Sequence, residues 1–151
     1  MRNISATLFS TLLLIISSGA LVDAQEKPDG FPDLAVRNEI HRQYRLAPNT
    51  TVEMSLIAGP VDIETTTGEV TEINIVNSAE TQADLSCSDI PIEQAPGKLL
   101  ISSKDLCKIV RVNQRVMLKL PRDMNVDLKN IAGHVRIGPT EGMVRLESIA
   151  G

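Results

Sequence analysis

The sequence predicts an all-β fold, a β-solenoid or stacked-sheet repeat built from strand-turn units of roughly nine residues. Three such units follow one another across residues 126–151, and each opens on valine and carries a glycine seven residues later. The pattern also occurs earlier, because residues 52–68 match residues 126–142 at eight of 17 positions without a gap. A strand with one turn cannot bury its own apolar face, so neighbouring units must stack on one another.

Alternation within each unit assigns its side chains to two faces. The opening valine and the Leu, Ile or Met two places on point to one face of a strand, and the residue between them points to the other. These middle residues are charged: Glu53, Asp62, Asp127, Arg136 and Arg145. We therefore expect an apolar core inside and charge outside. The core must be aliphatic, since aromatic residues make up only 2% of the chain.

The recurrent glycines predict structural turns. A tight turn with a positive φ favours glycine, because a Cβ opposes that conformation. We expect such turns at four positions: Gly59, Gly68, Gly133 and Gly142. A helix over residues 127–137 is the alternative, but its glycine and the nearby Pro139 would make it short and weak.

The first 24 residues have the features of a secretory signal peptide. They combine Arg2, an apolar stretch over residues 8–16 and a small-x-small cleavage site that ends at Ala24. An uncleaved membrane anchor is the alternative, but hydroxyl residues interrupt the apolar run, which is shorter than the roughly 20 residues that span a bilayer. We therefore expect an extracytoplasmic protein with no membrane span after signal cleavage.

The mature chain should begin with a linker or mobile arm over residues 25–39, because two prolines and a glycine there interrupt regular structure. The β-repeat domain should then cover residues 40–151. Alternation over residues 40–46 predicts a first strand at a sheet edge. The repeats begin at Val52 and weaken after residue 78.

The middle of the chain predicts shorter elements. Residues 83–87 and 98–102 fit short strands, and residues 109–120 fit two strands separated by Asn113-Gln114. Pro121 should end the second of these, because proline cannot donate a hydrogen bond to the ladder.

The two cysteines, Cys87 and Cys107, predict an intramolecular disulfide, since exported proteins fold in an oxidising compartment. Closing this loop would stabilise the fold by about 3 kcal/mol according to the chain-entropy estimate. Two buried thiols are the alternative. Neither His41 nor His134 lies at a spacing that would add metal ligands to the pair. We expect no metal and no other cofactor.

Charge and composition argue against nucleic acid as a partner. The formal net charge is -4, so the chain has no basic excess to neutralise phosphates. The only aromatic residues are Phe9, Phe31 and Tyr44, which leaves almost no surface for stacking bases.

The repeat motif resembles the putative adhesin family of bacterial extracytoplasmic β-repeat domains. Residues 57–63 and 131–137 both read Ile-Ala-Gly-x-Val-x-Ile, and a strand that ends in Leu120-Pro121 precedes the second copy. The resemblance runs from about Tyr44 to Gly151. It implies a β-repeat surface protein and brings no catalytic residues. Members usually continue through more units, so we expect a domain that is incomplete at Gly151 or whose open end pairs with another chain, including a second copy.

These observations predict an exported, non-enzymatic surface or envelope module with an adhesion-like or structural role, which binds an unidentified protein or surface ligand. A carbohydrate-active β-helix enzyme that acts on polysaccharide is the alternative, because glycoside chemistry needs two converging carboxylates. The candidate pairs are Asp123 with Asp127 and Asp62 with Glu64. Each pair can equally be turn chemistry or a solvated strand face. Ser102-Ser103-Lys104 lies outside any nucleophile-elbow motif.

Overall fold

The computed structural model describes residues 34–151, which form twelve strands and one short helix. The elements, in chain order, are β1 (Val36–Arg45), β2 (Thr51–Ser55), β3 (Val61–Thr66), β4 (Val70–Ala79), α1 (Gln82–Leu85), β5 (Ser88–Asp89), β6 (Ile92–Ala95), β7 (Lys98–Ser102), β8 (Lys104–Asp105), β9 (Asn113–Pro121), β10 (Asn125–Ile131), β11 (Val135–Ile137) and β12 (Val144–Ile149). The predicted all-β class is confirmed. The signal peptide and most of the predicted arm lie outside the described residues.

The strands form two five-stranded sheets and a small two-stranded one. Sheet 1 has the order β1-β4-β9-β3-β11, and sheet 2 has the order β12-β10-β2-β7-β6. Both are mixed, because β4 is antiparallel to β1 and β9, and β6 is antiparallel to β7, whereas the other pairs are parallel. Strands β5 and β8 form the third sheet.

The two sequence copies pair directly and in register. In sheet 2, Val52 of β2 lies beside Val126 of β10, which lies beside Val144 of β12. In sheet 1, Val61 of β3 lies beside Val135 of β11. The units that open at residues 126, 135 and 144 thus alternate between the sheets.

One aliphatic core lies between the sheets. Its fully buried side chains include Val52 and Leu128 from sheet 2 and Val61 and Ile73 from sheet 1. Val52, Val61 and Leu128 occupy inward positions of the predicted alternation, whereas the unit that opens at Val70 is shifted by one residue, so that Ile73 faces the core. Burying one such side chain stabilises the fold by about 1.5–3 kcal/mol, and strands β7 and β9 add further buried side chains from outside the repeat.

The first strand is an edge strand, as predicted, but it begins at Val36 rather than Ile40. Residues 36–39 pair with residues 76–79 of β4. The expected linker therefore includes the start of β1. Its exposed, charged side chains gave no alternation that would reveal this extension.

Two predictions about local structure are wrong. Residues 83–87 were expected to be a strand, but residues 82–85 form α1, whose N-cap Thr81 accepts a hydrogen bond from the backbone of Asp84 at 3.1 Å. Residues 109–120 hold one strand rather than two, because Asn113-Gln114 is the start of β9 and pairs with β4. The helical alternative over residues 127–137 is also wrong, since β10 and β11 cover it.

The regular spacing of the glycines within the repeat reflects close contact between backbones. A Cβ at Gly133 would lie 2.3 Å from the carbonyl oxygen of Gly59, and a Cβ at Gly151 would lie 2.4 Å from the carbonyl carbon of Gly133. The three glycines form a column. A Cβ at Gly142 would likewise collide with the carbonyl oxygen of Met124. The expected positive φ occurs at Gly59 (φ 151) but not at Gly68, Gly133 or Gly142, so the turn prediction is wrong at these three positions. Gly68 also lacks the close contact, because a Cβ there would lie 3.5 Å from its nearest neighbour.

A second repeated feature lies three residues before each glycine of the column. Leu56, Asn130 and Ser148 have φ angles of 59, 53 and 57°. Each is followed by an isoleucine that packs in or against the core. In each case the residue with positive φ interrupts the alternation of side chains along the strand. The isoleucine that follows it therefore points toward the core, and the chain turns out of the sheet.

Candidate functional site

The outer face of sheet 2 carries a cluster of ion pairs across strands. Glu53 of β2 lies 3.4 Å from the Lys98 ammonium and 3.6 Å from that of Lys129. Lys129 also lies 3.1 Å from Asp127. Parallel pairing in register sets these residues side by side, because it places Glu53 next to Asp127 and Ser55 next to Lys129.

Lys129 is the centre of this cluster. Its hydrogen bond to Asp127 is the main cause that raises the pKa of Lys129 above 10.5, and Glu53 acts in the same direction. Partial burial opposes both effects. The cluster therefore holds a firmly protonated amine on the surface of the sheet.

The outer face of sheet 1 has a matching arrangement. Asp62 of β3 lies 3.4 Å from Arg115 of β9 and 3.9 Å from Arg136 of β11. The acid occupies the middle strand and the bases its two neighbours. Both sheets thus present charged rows that run across the strands.

The carboxylates considered for catalysis lie in two environments. Asp62 and Asp127 take part in the ion pairs just described, and Glu64 lies exposed on β3 two residues after Asp62. Asp123 lies in the turn between β9 and β10. There it lines an open groove of about 560 Å³ at the ends of β1, β3 and β9. The groove mixes both signs of charge, with Arg122 beside Asp123.

A buried polar network that the sequence did not reveal joins the two sheets. The Gln114 carbonyl oxygen accepts from the Ala58 backbone at 2.8 Å, and its amide nitrogen donates to Ser88 at 2.9 Å and Ser103 at 2.7 Å. Both amide protons and one of the two carbonyl lone pairs of this buried side chain are used. Ser103, which was weighed as part of a Ser-Lys motif, is therefore a buried partner of Gln114.

The predicted disulfide is present. Cys87 and Cys107 have Cα atoms 5.1 Å apart and connect the end of α1 to the loop after β8. The same loop carries the exposed apolar side chains of Leu106 and Ile109.

Over residues 34–151, no group of three or more His, Cys, Asp or Glu side chains is arranged to hold a metal ion. The same residues contain no helix that is long and apolar enough to cross a bilayer.

Comparison with known proteins gives distant structural neighbours. A putative adhesin from Bacteroides fragilis is 18% identical with a TM-score of 0.44, over 75% of this chain and 55% of that one. A putative cell adhesion protein from Clostridium sporogenes is 8% identical with a TM-score of 0.44, over 75% and 59% of the two chains. A putative adhesin from Parabacteroides merdae is 9% identical with a TM-score of 0.36, over 66% and 40%.

The chain thus spans between 40% and 59% of the length of these three structures. All three are described as adhesins or cell adhesion proteins, the class that the repeat motif resembles. No protein-family model and no curated protein sequence matches the chain.

Proposed function

We propose that this chain is an exported, non-enzymatic module of the cell surface or envelope with an adhesion-like or structural role. The observation that carries the proposal is the in-register stacking of the repeat copies, which aligns charged side chains on the outer face of each sheet. The disulfide is in keeping with an oxidising, extracytoplasmic compartment.

The stacked units are the coils of a β-solenoid in this proposal. Successive units alternate between the two sheets, so one coil takes about two units. Val126 and Val144, which are neighbours in sheet 2, are accordingly 18 residues apart. The glycine column supports the same stacking, because it lets the corners of successive coils approach closely.

The charged rows are the proposed binding surface. Neighbouring strands lie about 4.8 Å apart, so charges on successive strands form a regular, rigid array. Complementary charge on a partner gives specificity and a faster association rate. A protein or surface polymer with regularly spaced charged groups is therefore the partner that this face fits best.

Binding to purified envelope material tests the proposal. The double variant Arg136→Gln and Arg145→Gln removes one positive charge from the outer face of each sheet. The matched control, Arg37→Gln with Lys108→Gln, changes the net charge equally at sites outside the rows. We expect weaker binding only for the first variant. Equal binding by both, with unchanged circular dichroism, would contradict the proposal.

Export has a direct test of its own. The chain recovered from outside the cytoplasm should begin at Gln25, which mass spectrometry of its N-terminal peptide would show. Recovery of the uncleaved chain from the cytoplasm would contradict export.

The polysaccharide-cleaving alternative is tested separately. Its candidate residues Asp62 and Asp127 already form ion pairs with basic side chains. Depolymerisation of any member of a broad polysaccharide panel by the wild type, lost in the Asp123→Ala and Asp127→Ala double variant, would favour the enzyme over the binding module.

A further inference from the structure

The groove at the ends of β1, β3 and β9 is built from four turns. These turns follow β1, β3, β9 and β11, and they contribute Pro48, Gly68, Asp123 and Glu141 to the lining. Loops that a rigid scaffold holds together often carry binding sites. The volume of about 560 Å³ also lies within the roughly 300–1,000 Å³ of small-ligand sites. The groove is therefore large enough for a ligand of a few residues.

The turn between β9 and β10 is held in place by backbone hydrogen bonds. The backbone N–H of Arg122 donates to the carbonyl oxygen of Thr66 at 3.2 Å, which ties the turn to β3. The carbonyl oxygen of Arg122 accepts from the backbone of Glu141 at 2.8 Å and from the hydroxyl of Thr140 at 2.9 Å. Such preorganisation reduces the conformational entropy that is lost when a ligand binds.

The groove carries charges of both signs that remain available to a ligand. At its rim, the guanidinium of Arg45 pairs with Glu69 at 3.5 Å. Within residues 34–151, in contrast, no salt bridge or side-chain hydrogen bond engages the guanidinium of Arg122 or the carboxylates of Asp123 and Glu141. One guanidinium and two carboxylates can therefore contact a ligand.

The remaining lining selects the kind of cation. Leu46, Pro121 and Met124 add apolar surface, and no aromatic side chain is among the lining residues that the structure describes. Quaternary ammonium groups are typically recognised by aromatic cages. A primary ammonium instead donates three hydrogen bonds, which carboxylates accept. The cation that fits this groove is therefore a primary ammonium.

The single available guanidinium selects the anion. The planar fork of an arginine matches a carboxylate through two parallel hydrogen bonds. Phosphorylated ligands are usually bound by clusters of arginines. Here Asp123 and Glu141 line the same groove as Arg122, and they would repel a doubly charged anion. The anion that fits is a carboxylate.

We propose that this groove binds a short peptide that carries a free amino group and a free carboxylate. Arg122 holds the carboxylate, Asp123 and Glu141 hold the ammonium, and Leu46 and Pro121 contact the aliphatic part of the peptide. The groove lies at the ends of the strands rather than on the outer faces of the sheets. It is therefore a second site, which does not depend on the partner of the charged rows.

Titration with the dipeptide alanylalanine tests the site. A ligand of this size should bind with a Kd on the order of millimolar, which suits NMR of the chain that begins at Gln25. The amide signals of Gly68, Asp123 and Glu141 should shift, whereas that of Lys129 on the outer face of sheet 2 should not. Unchanged groove signals at ten times the expected Kd would overturn the proposal.

Modified dipeptides assign each contact. Amidation removes the carboxylate of alanylalanine, and acetylation removes its ammonium. Arg122→Gln should weaken binding of the unmodified dipeptide about fivefold or more and leave binding of the amide unchanged. Asp123→Asn should weaken binding of the unmodified dipeptide to a similar extent and leave binding of the acetylated form unchanged. Losses that are equal for modified and unmodified dipeptides would overturn the assignment of these contacts.

Matched controls make the same charge changes outside the groove. Arg42 on β1 and Asp89 on β5 are exposed and do not line it. The variants Arg42→Gln and Asp89→Asn should therefore bind alanylalanine like the wild type. Equal losses from the groove and control variants, or tighter binding of phosphocholine than of alanylalanine, would overturn the proposal.

Discussion

Replacing Gly133 with alanine should destabilise the fold far more than the same change at Gly68. Both glycines occupy the same place in the nine-residue unit, so the sequence pattern treats them alike. In the structure, a Cβ at Gly133 would lie 2.3 Å from the Gly59 carbonyl oxygen. Real Cβ contacts are rarely shorter than 3.0 Å, so the two backbones would have to separate by about 0.7 Å, the difference between these distances.

The two replacements should change the free energy of unfolding in opposite directions. Forcing an extra methyl into a packed contact costs about 1–3 kcal/mol, and the upper end applies to Gly133 because the atoms that its Cβ would meet are backbone atoms of Gly59. At Gly68 the nearest atom lies at 3.5 Å and φ is outside the left-handed region. There alanine should stabilise by about 0.4–1 kcal/mol, because it restricts the unfolded chain.

Urea unfolding of the two variants measures the difference. With a slope of about 2 kcal/mol per molar urea, a loss of about 3 kcal/mol lowers the midpoint by about 1.5 M. The Gly68→Ala midpoint should equal or exceed that of the wild type. If the urea midpoint of Gly133→Ala lies within about 0.25 M of the wild-type midpoint, the close approach of the Gly59 and Gly133 backbones is not what requires glycine there.

Four further changes have expected outcomes. Leu56→Gly should raise the free energy of unfolding by about 1 kcal/mol, because leucine is strained at φ 59. Gln114→Met should lower it by about 2–4 kcal/mol in urea unfolding, since Ala58 and two serines lose their partner. Reducing the Cys87–Cys107 disulfide should lower it by about 3 kcal/mol. Lys129 should contribute to the free energy of unfolding below pH 10.5, and this contribution should be lost as the pH rises through its raised pKa. The Lys129→Met variant should not show this loss of stability at alkaline pH.

Three of these changes have a matched control. Asn130→Leu should reverse the Leu56 result, because it introduces leucine at the equivalent left-handed position. Gln43→Met on the exposed β1 should leave stability nearly unchanged. Lys108→Met should leave the loss of stability at alkaline pH unchanged from the wild type. A Gln43 variant as unstable as the Gln114 variant, or an Asn130→Leu variant more stable than wild type, would contradict the corresponding explanation.

The sequence predicted best the features that depend on the local pattern of side chains. The valines that open each unit alternate with charged residues, so the strand faces and the core positions of both copies followed from residues 52–68 and 126–142. Pro121 likewise ends β9 as its missing N–H requires. These are local consequences of side-chain chemistry.

The features that were missed depend on distant partners. Gln114 looked like part of a turn, yet its amide is buried because Ala58 and two serines happen to face it. Leu56 has no intrinsic tendency toward positive φ, and the corner imposes that conformation on it. The ion pairs of Asp62 required knowing which strands flank β3. No short stretch of sequence shows which distant residues and strands become neighbours.

The order of the strands also determines when the chain can fold. Strand β2 pairs with β7 and β10, so Thr51 finds its first neighbour at Lys98, 47 residues later. Strand β3 likewise pairs with β9 and β11, which both come much later in the chain. Such non-local pairing places folding in the slower, millisecond-to-second range. A chain emerging from its N-terminus would therefore keep β2 unpaired until β7 is made, and β3 unpaired until β9 is made.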